Sequence, residues 1–172
     1  MHNIILFLLL SLTLACPAIA KDAQVCGPVQ VFFSPHGGCT EAAVATIDQA
    51  KAMIIVQAYS FTSKPIADAL VRAHARGVDV TAILDKSQET AKGALGEQLK
   101  AAGIPVRYDE VHRIAHNKVM VIDGEIVITG SFNFTGSAED WNAENLLIIP
   151  SKDLAGVYSA QWMEHYGHSI EK

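Results

Sequence analysis

From residue 29 to residue 107, short continuous apolar runs alternate with stretches in which apolar residues recur every three or four positions. Residues 29–33 read as a strand ended by Ser34-Pro35-His36-Gly37-Gly38, and Ala43, Val44, Ile47 and Ala50 then fall at helical spacing within 40–51. A second step follows: a strand over 53–59, Ser63 as N-cap with Pro65 in the first turn, Ile66, Leu70 and Ala73 on one face, and Gly77 at the helix end. A third strand over 78–84, a short helix over 92–102 closed by Gly103, and a strand over 104–107 complete a β-α-β-α-β-α-β order. Strands and helices alternating at these lengths predict an α/β sheet, mostly parallel in this half, with helices on both faces.

The last third breaks the rhythm. Residues 117–122 and 125–130 are strand patterns joined by Asp123-Gly124, a strong hairpin signal, and a third apolar run over 145–149 precedes an amphipathic helix over 151–165. The sheet is therefore expected to be mixed. If Asp123 and Gly124 are the two central residues of the turn, facing positions sum to 247, which sets Lys118 across from Thr129 and His116 across from Ser131. Period-two alternation then collects His116, Lys118, Ser131 and Asn133 on one surface. Asp123 has the other parity and is read as a residue that shapes the turn.

Fifteen of the first twenty residues are apolar and none is Lys, Arg, Asp or Glu, and Ala18-x-Ala20 is a small-residue cleavage pattern before Lys21. Residues 1–20 are read as a secretory signal peptide and 21–172 as a single domain, large enough to bury a core; a periplasmic or secreted location follows. A buried anchor helix is the lesser reading, and Cys16 is poorly flanked for a lipoprotein site. In an oxidising compartment Cys26 and Cys39, the two cysteines of the mature chain, are expected to pair; two buried free thiols are the alternative.

His116, Lys118, Ser131 and Asn133 supply an imidazole, an ammonium, a hydroxyl and an amide. Glu144, just ahead of the 145–149 run, is expected to accept a hydrogen bond from the second nitrogen of His116 and so orient the ring. Such a group suits phosphoryl transfer without a metal or other cofactor. A neutral imidazole attacks phosphorus in line while the other three donate to the charge on the equatorial oxygens. Each residue alone has a plain alternative, a surface histidine, a solvated lysine or a strand-end turn residue. A metal reading of Asp109, Glu110, His112 and His116 is weak, because no third ligand is spaced for a cage, and His165 and His168 read as part of a solvated helix face. His36, beside two glycines, reads as loop.

His116-x-Lys118-x4-Asp123, followed by Gly130-Ser131-x-Asn133 and Glu144-Asn145, resembles the H-x-K-x4-D signature and downstream G-S-x-N element of the phospholipase D superfamily. The resemblance runs over the whole mature chain in the order of elements, and its specific motifs occupy 114–149. A single copy is similar to the small exported bacterial endonucleases of that superfamily, the Nuc type. The resemblance implies a homodimer with the site on the two-fold axis, a phosphohistidine on one His116, and the other subunit's His116 as acid and then base. It implies catalytic roles for His116, Lys118, Ser131, Asn133 and Glu144 and structural ones for Asp123 and Gly130.

A net charge of −5 is unusual for a chain that binds nucleic acid, although Arg113, Lys118 and His112 cluster beside the motif and a dimer would double their field. With 7% aromatic residues, contacts to single- or double-stranded DNA, and to RNA, would go to the backbone and be largely blind to sequence. A phospholipase or phosphatidyl transferase is the competing enzyme and calls for an apolar rim; no stable membrane insertion is expected. A binding domain without chemistry is disfavoured by the intact His116 and Lys118.

Overall fold

The computed structural model describes residues 22–172, and the leader expected at 1–20 lies outside them. Helices form over α1 (Cys39–Asp48), α2 (Lys64–Ala75), α3 (Gly96–Ala101), α4 (Gly136–Asp140) and α5 (Lys152–His168). Strands form over β1 (Gln30–Phe33), β2 (Met53–Ala58), β3 (Asp79–Asp85), β4 (Val106–Asp109), β5 (Lys118–Ile122), β6 (Ile126–Gly130), β7 (Asn145–Pro150) and β8 (Ile170–Glu171). They make one sheet in the order β1-β7-β6-β5-β2-β3-β4-β8.

The sheet is mixed, as expected, with a parallel part confined to β2, β3 and β4. β1 does not join that part; it pairs antiparallel with β7 at the opposite edge. An edge suits it, because Val31 and Phe33 are exposed there, whereas β5 is buried along its whole length. One face carries α1, α2 and α3 over Ile54, Val56, Met120, Ile128, Phe132 and Phe134. On the other, Ala155 and Trp162 of α5 pack on Ile55, Ile83, Val119, Val121 and Val127, and the Trp162 indole donates to the Val56 carbonyl at 2.9 Å. Truncating a buried tryptophan of this kind costs about 3–5 kcal/mol.

The expected hairpin turn forms. Asp123 and Gly124 both have positive φ, 54° and 64°, and Glu125 N–H donates to the Ile122 carbonyl at 3.0 Å. The register nevertheless differs from the expected one, since Val119 pairs with Thr129 and Ile122 with Ile126. Glu125 is an extra residue, a bulge, and its carbonyl accepts Ser151 N–H at 2.8 Å at the start of α5. A shift of one residue reverses which side chains share a face. Lys118 and Met120 therefore share a face with Phe132 and Phe134, not with Ser131 and Asn133.

Asp123 has the structural role expected of it. Its carboxylate accepts the N–H groups of Lys51, Ala52 and Met53 at 2.8–3.2 Å, tying the hairpin to the start of β2. Partial burial pushes this carboxyl up, and the three N–H donors outweigh that and hold it below the ordinary carboxylate range. Asp123→Asn is expected to cost about 1–3 kcal/mol in urea unfolding with kcat unchanged. Because the folded carboxyl titrates below its unfolded value, that stabilisation is present above the unfolded pKa and is lost as pH falls through the folded one. The gap between the two proteins should close in strong acid.

The Cys26–Cys39 disulfide does not form; both thiols are free. Cys26 N–H donates to the Pro150 carbonyl at one end of β7, while Cys39 opens α1 beside Glu139 and Glu144 at the other end. Five strand steps separate those ends, about 17 Å, and a disulfide needs its Cα atoms within about 7 Å. Burial first, then Glu139, pushes the Cys39 thiol up to about 11, so it is inert as well as distant.

Candidate active site

The registers bring the carboxyl ends of β1, β2, β3, β4 and β6 to the same edge of the fold as the amino ends of β5 and β7. In open α/β sheets this is the end where ligands bind. Residues 110–117 leave β4, arch over the ends of β3 and β2, and enter β5, a span of three strand spacings or about 14 Å. Several contacts hold the arch, among them Lys86 Nζ donating to the His112 carbonyl at 2.7 Å, Ala115 N–H to Asp85 Oδ2 at 2.7 Å, and Tyr59 N–H to the Asn117 carbonyl at 2.8 Å.

His116 lies exposed at the end of the arch, and Lys118, two residues on, is buried with only 6% of its surface accessible. Lys118 Nζ stands 3.1 Å from His116 Nδ1 and donates to the His116 carbonyl at 2.9 Å. Beneath them is Tyr59, its ring 4.5 Å from the imidazole and 5.3 Å from the ammonium, a cation–π contact. Burial depresses the Lys118 ammonium below the ordinary lysine value, and Glu144 pulls the other way. An ammonium only donates, so a neutral His116 facing it accepts at Nδ1 and carries its proton on Nε2.

Glu144 does not orient His116. Its Oε2 accepts Asn133 N–H at 3.1 Å and its Oε1 accepts Asn142 Nδ2 at 2.9 Å, so both oxygens hold the 131–144 connection together and leave Lys118 as the partner of the ring. Ser131 Oγ accepts from the backbone and side-chain N–H groups of Asn145 at 3.0 and 3.3 Å. Asn133 Oδ1 is buried and, among the described residues, without a partner. These residues reach the open end because the chain leaves β6 at Gly130, not because of strand alternation. At Gly130, φ is 149° and a Cβ would stand 2.2 Å from the Asn145 carbonyl oxygen, so no other residue fits.

Tyr59 escaped the reading from sequence, having been counted as the last residue of an apolar strand. α4 escaped it too, although Thr135 caps it and its Glu139 accepts the N–H groups of Gly38 and Thr40 at the start of α1. His36 is an exposed loop residue, as expected. His165 is not on a solvated face: it is buried, with Nδ1 2.7 Å from Asp109 Oδ2.

An exposed imidazole beside a buried ammonium at the open end of a mixed α/β sheet is the equipment of a phosphodiesterase-type hydrolase. The chain belongs to the phospholipase D superfamily: the family model described as cardiolipin synthase, phospholipase D-like domain, matches residues 43–166. It is 44% identical over 135 residues to the phospholipase D of Rickettsia conorii, covering 78% of this chain and 68% of that one. With the mitochondrial cardiolipin hydrolase of Xenopus tropicalis it shares 34% identity over 111 residues, 62% of this chain and about half (53%) of the relative. Among solved structures it is similar to Nuc of Salmonella typhimurium, a phospholipase D family member, with a TM-score of 0.81 and 37% identity over 84% of this chain and 97% of that one. NucT of Helicobacter pylori shares the fold, with a TM-score of 0.78 and 22% identity.

Proposed function

We propose that the protein is an exported, non-specific endonuclease that hydrolyses phosphodiester bonds of DNA, and also of RNA, as a homodimer. The observation that carries this reading is the His116–Lys118 pair, 3.1 Å apart, exposed on the imidazole side and open to a large substrate. Similarity to Nuc along nearly the whole of that chain supports it. A bound phosphodiester would draw the Lys118 ammonium from Nδ1 to a phosphoryl oxygen, freeing the ring to move its proton to Nδ1 and attack through Nε2. The N–P bond forms as the P–O bond breaks, and an acid on the opposite side protonates the leaving oxygen. Water, deprotonated by that same group, then releases the phosphate and restores the imidazole.

The acid proposed for this step is the His116 of a second copy, as the family resemblance implies; His112, the nearest imidazole in sequence, already bonds Asp109 at 2.9 Å. Apolar surface supports a dimer at this end: Phe33 is 66% exposed and Trp141 80%, both on segments bordering Glu144. Sedimentation of the purified protein should give a dimer, and an active enzyme that stays monomeric at every concentration would refute the shared site.

The phospholipid reading has an observation of its own. Val111 and Ile114, 65% and 52% exposed, lie on the arch that leads to His116, an apolar rim of the kind a lipid head-group enzyme needs. Relatives named phospholipase D and cardiolipin hydrolase agree with it. Among the described residues no helix is long and apolar enough to cross a membrane. Plasmid, single-stranded DNA and phosphatidylcholine vesicles, each incubated with and without added magnesium, separate the two. Cleavage of both DNAs at rates indifferent to magnesium supports the endonuclease; hydrolysis of the vesicles with intact DNA overturns it.

A further inference from the structure

At the far foot of the arch a second cluster forms. Asp109 ends β4, His112 follows it in the arch, and His165 and His168 occupy the last turn of α5 at i, i+3 spacing, so both rings face the same side. One ligand atom from each of the four lies within 4.8 Å of all the others. The Asp109 side chain is fully buried, and its two oxygens have divided roles. Oδ1 accepts the N–H groups of Val111 and His112 at 3.1 and 3.2 Å. Oδ2 faces the rings, 2.7 Å from His165 Nδ1, 2.9 Å from His112 Nδ1 and 3.4 Å from His168 Nε2.

We infer that Asp109, His112, His165 and His168 form a binding site for one divalent ion of the zinc class, which fastens the arch to α5. Three imidazoles and a carboxylate are a borderline-soft donor set suited to zinc, and poorly suited to magnesium or calcium, which require oxygen ligands. A tetrahedron with arms of 2.0–2.1 Å has edges of about 3.4 Å; His168 Nε2 already stands at that distance from Oδ2, and the 2.7 and 2.9 Å contacts of His165 and His112 would lengthen by about 0.5–0.7 Å as the ion replaces their hydrogen bonds. Closure requires the ligand nitrogens, which lie within 4.8 Å of one another, to turn toward a common point; the ring centroids, 4.7–5.2 Å apart, are already as close as a tetrahedral site needs. The Oδ1 contacts supply the support that ordinarily orients a metal-bound carboxylate. His112 and His168, with 45% and 31% of their side chains exposed, leave a way in.

Four protein ligands would complete a tetrahedral sphere, so the ion would be structural and take no part in bond breaking. It would add a further tie between α5 and the foot of the arch, three strands away from His116. Catalysis by His116 does not depend on this assignment, and the two can fail separately.

The test uses the purified chain without a histidine tag, dialysed against zinc chloride and analysed for bound metal. The expected result is one zinc ion per chain, a rise in Tm of several degrees on loading, and visible absorption typical of tetrahedral coordination when cobalt chloride replaces zinc. His112→Ala and His168→Ala, at partly exposed positions, should bind zinc at least about 100-fold more weakly and lose the Tm response. His116→Ala and Cys26→Ser should bind it as the wild type does. Wild-type binding below one ion per chain at saturating zinc, or full binding by both histidine variants while folded, would overturn the assignment.

Discussion

His116→Ala is expected to lower kcat for DNA cleavage by on the order of 10⁴-fold or more, since removing a covalent nucleophile removes the pathway itself. The fold should not notice. His116 is exposed, and its contacts are to Tyr59 and to the Lys118 ammonium, so thermal unfolding should move by no more than a typical surface substitution, about 0.5 kcal/mol. Quenching in alkaline detergent during turnover, which preserves the acid-labile P–N bond, should trap a phosphoryl-linked DNA strand on the wild-type protein and none on the variant. Mixing His116→Ala with an excess of wild-type chains is a sharper measurement. If each site draws one imidazole from each copy, activity falls further than the wild-type fraction alone requires; proportional activity would mean that one protomer is sufficient.

Lys118→Met should separate activity from stability in opposite directions. Losing a charged donor aimed at the transition state costs on the order of 10²–10³-fold in kcat. The same ammonium is expensive to bury: its folded pKa is depressed by desolvation, with Glu144 only partly offsetting it. For a lysine depressed in this way, the protonated group opposes folding below the folded pKa, and the penalty fades as pH rises through that value toward the ordinary 10.5. Methionine has no such penalty, so Lys118→Met should unfold at equal or higher urea concentration than wild type at neutral pH. The wild-type kcat profile should carry an alkaline limb below pH 10.5, where Lys118 loses its proton, and Lys118→Arg should lack it. A methionine variant at full rate would remove Lys118 from the chemistry.

The differences between sequence and structure trace to a few residues. Asp123-Gly124 announced its turn correctly because both positions must take positive φ, a local property. Glu125 did not announce itself as a bulge, because its reason is a hydrogen bond to Ser151, twenty-six residues on. That one residue reversed the parity on which the convergence of Ser131 and Asn133 with His116 had rested. Glu144, expected on the imidazole, went to Asn133 and Asn142 for the same kind of reason: its partner is set by where the 131–144 connection turns.

What the sequence determined by itself is whatever depends on spacing along the chain. The periodicity of apolar residues specified seven of the eight strands, all but β8, and most helices, and His116-x-Lys118 specified that an imidazole and an ammonium would leave one strand together. Tertiary structure decided everything that depends on segments far apart in the chain. It sent β1 to the opposite edge from its apparent neighbours, kept Cys26 and Cys39 at the two ends of β7, and slid Tyr59 under the His116–Lys118 pair. It also gathered Asp109 and His112 with His165 and His168 across more than fifty residues. The physical reason is one: turns and periodicity are governed by local backbone sterics, whereas a buried carboxylate or an exposed strand finds its partner only when the whole sheet has assembled.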